Sequence, residues 1–445
     1  MTTVSTMDAP ASGLDCSART SWRSLGALLG NAKYVNMLAT VATQFTMLGM
    51  FVVQAMLLAR ILGPDARGQY GTAVFYSQLL VFPGLMGTLL SIARRGAQPG
   101  CDLQSLRRSA LRMGLWMGLV NLALVVALSV LLLPAEKRFL IPLCIMCGMT
   151  LPLEQMRLAI LAVDHGAEHF RRYNANRLLA TAMFPVLLLV VWLLGLGSVT
   201  AVVVTFMASC LFSLAALWWT LSRPSLWRRG EPTPGTLVRE GIPYGMAQIS
   251  SGLFDKLDAF LILWLTGFLV QGYYTAAVPA ASMLLTVPQA VALFAFNTGA
   301  RGKERLTLKR LALLGLALLA VQAASAVFMA LFAAPLVTLV YGKDFSGSVP
   351  FLLALLPAFA INGLGRVAEA YLQGRSQAQV GVWSRLLGAV AICIGTWLLF
   401  PRYGAMSVPL AAILGHTVMT VCICGVLVAS LRSKEDSSLI GATQA

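Results

Sequence analysis

Apolar runs of about 20 residues recur along the whole chain, and they constrain its fold more than any other feature. A helix of this length matches the roughly 30 Å thickness of the hydrocarbon core of a bilayer. Because lipid offers the backbone no hydrogen-bond partner, a spanning segment has to be an α-helix or part of a closed barrel. Barrel strands would alternate apolar and polar residues in segments of about ten, and the sequence lacks this pattern. We therefore predict an all-α polytopic membrane protein.

The composition agrees with this fold class. Hydrophobic residues make up 58% of the 445 residues and charged residues only 11%, whereas a soluble domain carries about 25% charged residues. The hydropathy pattern predicts about 12 transmembrane helices. Their approximate limits are 39–60, 70–92, 112–133, 139–162, 178–196, 199–221, 242–266, 272–296, 311–333, 349–372, 382–400 and 404–429.

The net charge of +16 is explained by where the basic residues lie. If both termini are cytoplasmic, most of the 33 Lys and Arg fall in cytoplasmic segments. Six lie on the opposite face: Arg60, Arg67, Lys137, Arg138, Lys343 and Arg402. An excess of Lys and Arg in cytoplasmic loops orients membrane proteins. The charge therefore predicts a multi-pass protein with both termini cytoplasmic, and it does not indicate a nucleic acid as a partner.

The two halves of the sequence resemble each other. Residues 68–74 (GQYGTAV) align without gaps with residues 271–277 (QGYYTAA), and a later match aligns the segment from Arg157 with the segment from Arg366. Each half would hold six spans, an even number, so both halves would keep the same orientation, as in transporters built from parallel repeats. We predict two six-helix bundles that are related by such a repeat.

These bundles divide the chain into five segments. They are an N-terminal cytoplasmic segment (1–34), a first bundle (35–221), a cytoplasmic linker (222–241), a second bundle (242–430) and a cytoplasmic tail (431–445). The apolar residues before the first span fit either an interfacial helix or a short solvated helix. In the linker, Pro224, Pro232, Pro234 and Gly235 disfavour a continuous helix.

Three charged residues, Asp255, Lys256 and Asp258, lie in the middle of the predicted seventh span. A charge at the bilayer centre costs roughly 2.5–3.5 kcal/mol on insertion scales, so such residues face a cavity or a partner. Gln248, Asp255 and Asp258 share one helical face. This face is either the wall of a polar cavity or part of a buried ion pair that Lys256 and a neighbouring helix complete. The cavity makes Gln248 and Lys256 candidates for substrate binding, and Asp255 and Asp258 candidates for a coupling ion, H⁺ or Na⁺.

Two other spans carry charged residues at i,i+3 spacing: Glu154 with Arg157, and Arg366 with Glu369. This spacing suits an ion pair within one helix. Alternatively, the guanidinium groups of Arg157 and Arg366 do not pair within their helices but face a central cavity, where they can bind a phosphate in bidentate fashion. Arg157 and Arg366 are therefore candidates for substrate binding, and Glu369 is a candidate for ion coupling.

The first span has a milder polar face, which includes Gln44 and Gln54. Amide side chains at helical spacing can hydrogen-bond sugars, but they also join helices in lipid. Both residues are candidate substrate contacts. Cys144 and Cys147 have the spacing of a metal or redox pair, but no His or second pair accompanies them, and buried Cys behaves as a small hydrophobe. No cofactor and no metal site are predicted.

Six short motifs occur in order along the chain. They are ARILGP at 59–64, GQY at 68–70, DAFLI at 258–262, GYY at 272–274, YLQG at 371–374 and PRYG at 401–404. Together with the predicted spans, they make residues 35–430 resemble the polysaccharide and O-antigen flippases. These belong to the MATE-like superfamily of multidrug, oligosaccharidyl-lipid and polysaccharide exporters.

The resemblance implies alternating access between two six-helix bundles around a central cavity. It implies a flippase that moves an undecaprenyl-diphosphate-linked oligosaccharide across the bacterial inner membrane for lipopolysaccharide or exopolysaccharide biosynthesis. The partners would be this substrate, membrane lipids, and the polysaccharide polymerase with its chain-length machinery. By position and chemistry, Arg157, Lys256 and Arg366 would hold the diphosphate and the sugars.

A cation-coupled multidrug antiporter of the same superfamily is the alternative function. Asp255 and Asp258 suit that function, whereas Arg157 and Arg366 do not. A membrane enzyme such as a polymerase would need a large outer loop with catalytic groups, and no predicted outer loop is long enough. A major-facilitator transporter would carry a G-x-x-x-D-R type motif, which residues 93–108 lack. We therefore predict a transporter and no enzyme activity.

Overall fold

The computed structural model describes residues 32–220, 232–301, 308–375, 377 and 379–443. Every regular element within these residues is a helix. The α-helices are α1 (Ala32–Leu80), α2 (Thr88–Gly96), α3 (Leu103–Leu132), α4 (Ile141–Gly148), α5 (Thr150–Gly166), α6 (Phe170–Leu193), α7 (Val199–Thr220), α8 (Pro234–Leu265), α9 (Phe268–Ser282), α10 (Thr286–Arg301), α11 (Leu308–Leu331), α12 (Ala333–Tyr341), α13 (Ser348–Gly374), α14 (Gln379–Tyr403) and α15 (Ser407–Thr443). Short 3₁₀ helices connect some of them. The predicted interfacial helix before residue 32 and linker residues 222–231 lie outside the described residues.

Nine helical segments among the described residues are long and apolar enough to cross a membrane. Two of them, Ala39–Leu85 and Gln379–Ser430, contain 47 and 52 residues, and a single crossing takes about 20, so each is long enough for two crossings. α8 is not among the nine. These helices confirm the all-α multi-pass architecture, while the count of twelve and the division into two bundles stay predictions.

α1 joins the first predicted span to residues 70–80 of the second. The two parts meet at Gly63, whose φ of 67° lies in the left-handed region that glycine adopts without steric cost. Pro64 follows directly, in keeping with the preference of proline for the first position of a helical segment. The predicted second span is then interrupted by the 3₁₀ helix Pro83–Leu85 before α2 begins.

α8 begins at Pro234, eight residues before the predicted start of the seventh span, while the limits of the cytoplasmic linker stay a prediction. Thr233 caps it by accepting a hydrogen bond from the backbone N of Thr236 at 3.4 Å. Proline at the first helical position has no backbone donor to leave unsatisfied. Pro234 therefore marks the start of a helix, where the sequence predicted a break. α15 likewise runs to Thr443, so most of the predicted tail is helical.

Some apolar cores lie within one half of the chain, while others contain residues of both halves. One core packs Leu111, Ile160 and Leu217 from α3, α5 and α7. Another packs Phe254 and Ile392 with neighbours from α13 and α15. The halves are joined where α1 crosses α9 and where α2 lies against the start of α8.

The crossing of α1 and α9 is a close backbone contact. A Cβ atom at Gly68 would lie 1.9 Å from the carbonyl oxygen of Phe268, and a Cβ atom at Gly272 would lie 1.8 Å from that of Pro64. In both helices, the glycine contacts a carbonyl group that lies one turn before the glycine of the other helix. Small residues let helix backbones approach closely in membranes. The two matching sequence segments, 68–74 and 271–277, are therefore in direct contact.

Lys137, which lies in the 3₁₀ helix Ala135–Leu140, makes a second contact between the halves. Its buried ammonium group donates to the carbonyl oxygens of Leu263 and Thr266 at the end of α8, the latter at 2.6 Å. The last carbonyl groups of a helix have no partner within the helix and carry partial negative charge. Lys137 therefore caps α8 with a charge from the other half.

We expect Lys137→Met to lower the thermal stability of the purified protein, because Met keeps the side-chain length but leaves the α8 carbonyl groups without a donor. Each unsatisfied buried acceptor costs about 1–3 kcal/mol. The neighbouring Arg138 is exposed, so Arg138→Met is a matched control that should leave the melting temperature unchanged. Equal melting temperatures for the two variants would contradict the capping role.

Candidate functional site

Asp255 on α8 and Arg366 on α13 form an ion pair between two helices. Both carboxylate oxygens of Asp255 accept from Nη2 of Arg366 at 3.0 Å. The side chains remain 36% and 27% exposed, respectively. Lipid does not solvate such charges, so this exposure is compatible with the predicted polar cavity, which stays a prediction. The structure brings these two predicted site residues together, although they are 111 positions apart.

Asp258 lies one turn further along α8 and has a different partner. Its Oδ2 accepts a 2.5 Å hydrogen bond from the phenol of Tyr274 on α9, and its Oδ1 accepts from the backbone N of Ala259 at 2.7 Å. The Tyr274 side chain is fully buried. A phenol donor fixes the orientation of a carboxylate without adding a counter-charge. The hydrogen-bond donors of Asp258 are therefore neutral, and Lys256 on the same helix acts on its charge only through space.

His416 on α15 completes the surroundings of the Asp255–Arg366 pair. It is buried, its ring meets that of Phe254 edge-on with centroids 5.1 Å apart, and it lies close enough to Asp255 and Arg366 to interact with both charges. Its Nδ1 atom has no hydrogen-bond partner among the described residues. A buried ring nitrogen without a partner is unusual, so we count His416 among the residues of the site.

Arg366 and Glu369 do not form the i,i+3 pair that their spacing predicted. Arg366 pairs with Asp255, and its Nε lies 3.3 Å from Oδ1 of Asn362, one turn earlier on α13. Glu369 is buried and accepts from Nη2 of Arg385 on α14 at 2.6 Å. The prediction failed because each charge finds a better-placed partner on a neighbouring helix. Glu369 is fully occupied by a structural ion pair in this conformation.

The prediction for the other pair is confirmed. Arg157 donates through both Nε and Nη2 to the carboxylate of Glu154 on the same helix, α5, with Nε 3.0 Å from Oε2. Arg157 is buried, so this salt bridge neutralises it inside the first half. The described contacts do not join Arg157 to the Asp255–Arg366 pair.

The remaining predicted residues are spread out. Gln44 is exposed on α1 and accepts from Nη2 of Arg177 on α6 at 2.8 Å. Gln54, Gln248 and Lys256 are partly buried, and in the part of the chain that the structure describes they make no hydrogen bond or ion pair. Lys256 does not pair with Asp255, because the neighbouring helix supplies Arg366 instead. Among the described residues, the side-chain donors of Gln54, Gln248 and Lys256 are thus unused.

Sequence reasoning missed Tyr274, His416 and Asn362 as parts of the site. Asn362 precedes Arg366 by four residues on α13, a spacing that signals contact within a helix. Tyr274 and His416 carried no such signal, since each reaches the site from a different helix. The site is therefore built from α8, α9, α13 and α15, all in the second half of the chain.

Comparison with known proteins shows the family and the fold of the chain. A family model of polysaccharide biosynthesis proteins matches residues 57–350. No curated protein matches the chain. Among solved structures, the chain is similar to a multidrug resistance MATE family transporter of the MOP superfamily in an inward-facing conformation, with a TM-score of 0.71 at 16% identity over 88% of this chain and 96% of that one.

The chain is also similar to two further solved structures. The lipid II flippase MurJ in an inward closed conformation gives a TM-score of 0.71 at 13% identity, over 91% of each chain. A MATE family transporter in an outward-facing conformation gives 0.56 at 17% identity, over 90% of this chain and 95% of that one. At such low identity these matches show the fold alone.

Proposed function

The chain belongs to the polysaccharide biosynthesis protein family, and on this premise we propose that it is a flippase for an undecaprenyl-diphosphate-linked oligosaccharide. It would move one repeat unit across the bacterial inner membrane by alternating access, with both termini in the cytoplasm. A surface or secreted polysaccharide would be the product, and the polymerase with its chain-length machinery would take over the flipped unit.

The observation that carries this proposal is the partly exposed Asp255–Arg366 ion pair within an otherwise apolar set of helices. A guanidinium group binds a carboxylate and a phosphate with the same fork of donors. A diphosphate can therefore replace Asp255 on Arg366 without any change in donor geometry. Gln248 and Lys256 lie on α8, as Asp255 does, and supply further donors for phosphate or sugar groups.

This exchange also gives a route for ion coupling. Once a diphosphate occupies Arg366, the carboxylate of Asp255 loses its counter-charge inside the membrane. Binding of H⁺ or Na⁺ to Asp255 or Asp258 would restore neutrality, since isolated charges are costly there. Release of the diphosphate on the outer side would return Arg366 to Asp255 and expel the cation.

A cation-coupled multidrug antiporter is the second candidate function. The carboxylate of Asp258 favours it, because Tyr274 holds this carboxylate and no basic side chain among the described residues forms an ion pair with it. The fold that the chain shares with a multidrug resistance MATE family transporter is compatible with this function. The guanidinium group of Arg366 favours an anionic substrate instead, which is why we place the flippase first.

Proteoliposomes that contain the purified chain distinguish the two functions. We expect the chain to translocate a fluorescent short-chain prenyl-diphosphate oligosaccharide, and we expect no accumulation of a cationic dye under an imposed H⁺ or Na⁺ gradient. Dye transport without movement of the diphosphate lipid would replace the flippase with the antiporter. Protein-free liposomes report the spontaneous rate of both processes.

We expect Asp258→Asn to lower the transport rate at least about tenfold, because the neutral amide cannot hold a coupling cation and loses a charge-assisted hydrogen bond. The residual rate should no longer respond to an ionophore that collapses the ion gradient. Asp344→Asn changes an exposed carboxylate outside this site and is the matched control. An Asp258→Asn variant that still responds to the ionophore would exclude Asp258 as the coupling residue.

A further inference from the structure

A polar cavity lies where the end of α2 meets the beginning of α8. It has a volume of about 390 Å³, and we call it the seam cavity because α2 belongs to the first half of the chain and α8 to the second. Its lining residues are Ser91, Arg94, Arg95, Gln98, Glu240 and Tyr244. The charge asymmetry of the sequence places this end of both helices on the cytoplasmic side. The seam cavity is thus separate from the Asp255–Arg366 pair, which lies further along α8.

Arg95 and Glu240 form a bidentate ion pair across this seam. Nε of Arg95 lies 2.7 Å from Oε2 of Glu240, and Nη2 of Arg95 donates to the other carboxylate oxygen. The hydrogen bond from Arg95 lowers the pKa of Glu240, so the pair stays ionised at neutral pH. Both side chains remain partly exposed to the cavity, with 29% and 39% of their surface accessible. A ligand can therefore reach Arg95 without unfolding the seam.

Arg94 contributes a second guanidinium group that has no carboxylate within 4 Å among the described residues. Its Nη1 atom lies 3.4 Å from the phenol oxygen of Tyr244. The seam cavity thus holds two guanidinium groups, one carboxylate and one phenol. A basic residue in the last turn of a helix is favoured by the helix dipole alone. That effect explains neither the partner Glu240 on another helix nor the concave surface between the two helices.

Close backbone contacts also join α2 and α8 across the seam. A Cβ atom at Gly87 would lie 2.5 Å from the carbonyl oxygen of Gly241, and one at Gly245 would lie 2.7 Å from the backbone of Met86. Ser91 also donates across the seam to the carbonyl oxygen of Leu237 at 3.0 Å. These backbone contacts would keep α2 and α8 together when Glu240 is displaced from Arg95.

We propose that the seam cavity is a docking site for the diphosphate group of a prenyl lipid, which displaces Glu240 and binds to Arg94 and Arg95. This inference rests on the proposed flippase function and adds a cytoplasmic binding step before the substrate reaches Arg366. A lipid diphosphate lies at the level of the membrane surface, which is where α2 ends. Two adjacent guanidinium groups match its two phosphates, and Glu240 occupies Arg95 until a stronger anion arrives.

The location of the responsible arginines distinguishes this site from a simple basic patch. Removing the carboxylate should strengthen anion binding, whereas removing either guanidinium group should weaken it. A basic patch that attracts anions only through its net charge would respond to any lost arginine on the same face. Arg108, which lies near the start of α3 outside the cavity, is the matched control residue.

The test measures binding of farnesyl diphosphate to the full chain in phosphatidylcholine nanodiscs. We expect Arg94→Gln and Arg95→Gln each to weaken binding about tenfold, the effect of one charge-assisted contact. We expect Glu240→Gln to strengthen it several-fold and Arg108→Gln to leave it unchanged. Equal losses in the Arg95→Gln and Arg108→Gln variants, or weaker binding by Glu240→Gln, would overturn the proposal.

Further binding measurements identify the source of the phosphate and separate this inference from the flippase proposal. Farnesol lacks phosphate and should bind independently of Arg94 and Arg95. If phosphatidylglycerol in the nanodisc abolishes farnesyl diphosphate binding, the site is one for bulk anionic lipid, and the assignment fails. If only Arg366→Gln abolishes binding, the seam cavity is excluded while the flippase proposal stands.

Discussion

Replacing Arg366 with alanine is expected to reduce polysaccharide export to below about a tenth of the wild-type level, because a hydrogen-bonded contact between a guanidinium group and a charged partner contributes about 1.5–3 kcal/mol. The variant would lose the guanidinium N–H donors that we propose bind the diphosphate. Export can be measured as surface polysaccharide in a bacterium whose own copy of the gene is deleted. Arg402→Ala, which removes an exposed arginine from α14, is the matched control and should export normally.

The Arg366→Ala variant also leaves Asp255 without its partner, so its loss of function has a second explanation. Breaking a fully buried ion pair costs about 3–5 kcal/mol. Here the cost is smaller, since both side chains are partly exposed and exposed pairs contribute little. The double variant Asp255→Asn with Arg366→Gln removes both charges and restores neutrality.

The double variant therefore separates folding from transport. We expect its amount in the membrane to equal that of the wild type while its export stays low. Normal export by the double variant would show that the pair only holds α8 and α13 together. In that case the diphosphate would have to bind elsewhere in the chain.

Replacing Gly272 with alanine is expected to prevent correct packing of the two halves. The new Cβ atom would lie 1.8 Å from the carbonyl oxygen of Pro64, and a backbone atom cannot move aside as a flexible side chain does. Overpacking costs about 1–3 kcal/mol where side chains rearrange, so a backbone clash should cost more than this. Gly68→Ala should act in the same way, because its Cβ atom would lie 1.9 Å from the carbonyl oxygen of Phe268.

Size-exclusion chromatography of the detergent-extracted protein and its melting temperature give the measurement. Gly49→Ala is the matched control, since Gly49 lies on the same helix as Gly68 and a Cβ atom added there would have no neighbour within 4 Å. Alanine is favoured over glycine in a helix by about 1 kcal/mol, so the control should be neutral or slightly more stable. A monodisperse Gly272→Ala protein with an unchanged melting temperature would contradict the observed α1–α9 crossing.

The fold class could be predicted because each membrane span is a local property of the sequence. Length and hydropathy over about 20 residues decide whether a segment can cross the bilayer. The limits of helices were less predictable. Pro234 predicts a helix break because proline disfavours helix interiors, yet it stands at the first helical position, where proline is favoured.

The site could be predicted in part. The charge cluster of Asp255 and Asp258 was found from its spacing on α8, and the Arg157–Glu154 pair from its spacing on α5. The partner of Arg366 was predicted wrongly, because i,i+3 spacing shows that two side chains can meet and not that they do. The sequence predicts only an outer-face charge at Lys137, and its role as a cap for α8 had no sequence signal.

The sequence by itself determined that the chain is a multi-pass helical protein, which residues lie inside its apolar helices, and which of them are charged. These properties follow from the backbone hydrogen bonding and side-chain hydropathy of single helices. Only the tertiary structure decided the partner of each charge: Arg366 for Asp255, Tyr274 for Asp258, Arg385 for Glu369 and Glu240 for Arg95. The physical reason is that a charge in a medium of low dielectric takes the best-placed counter-group in space, and the packing of distant helices determines which group that is.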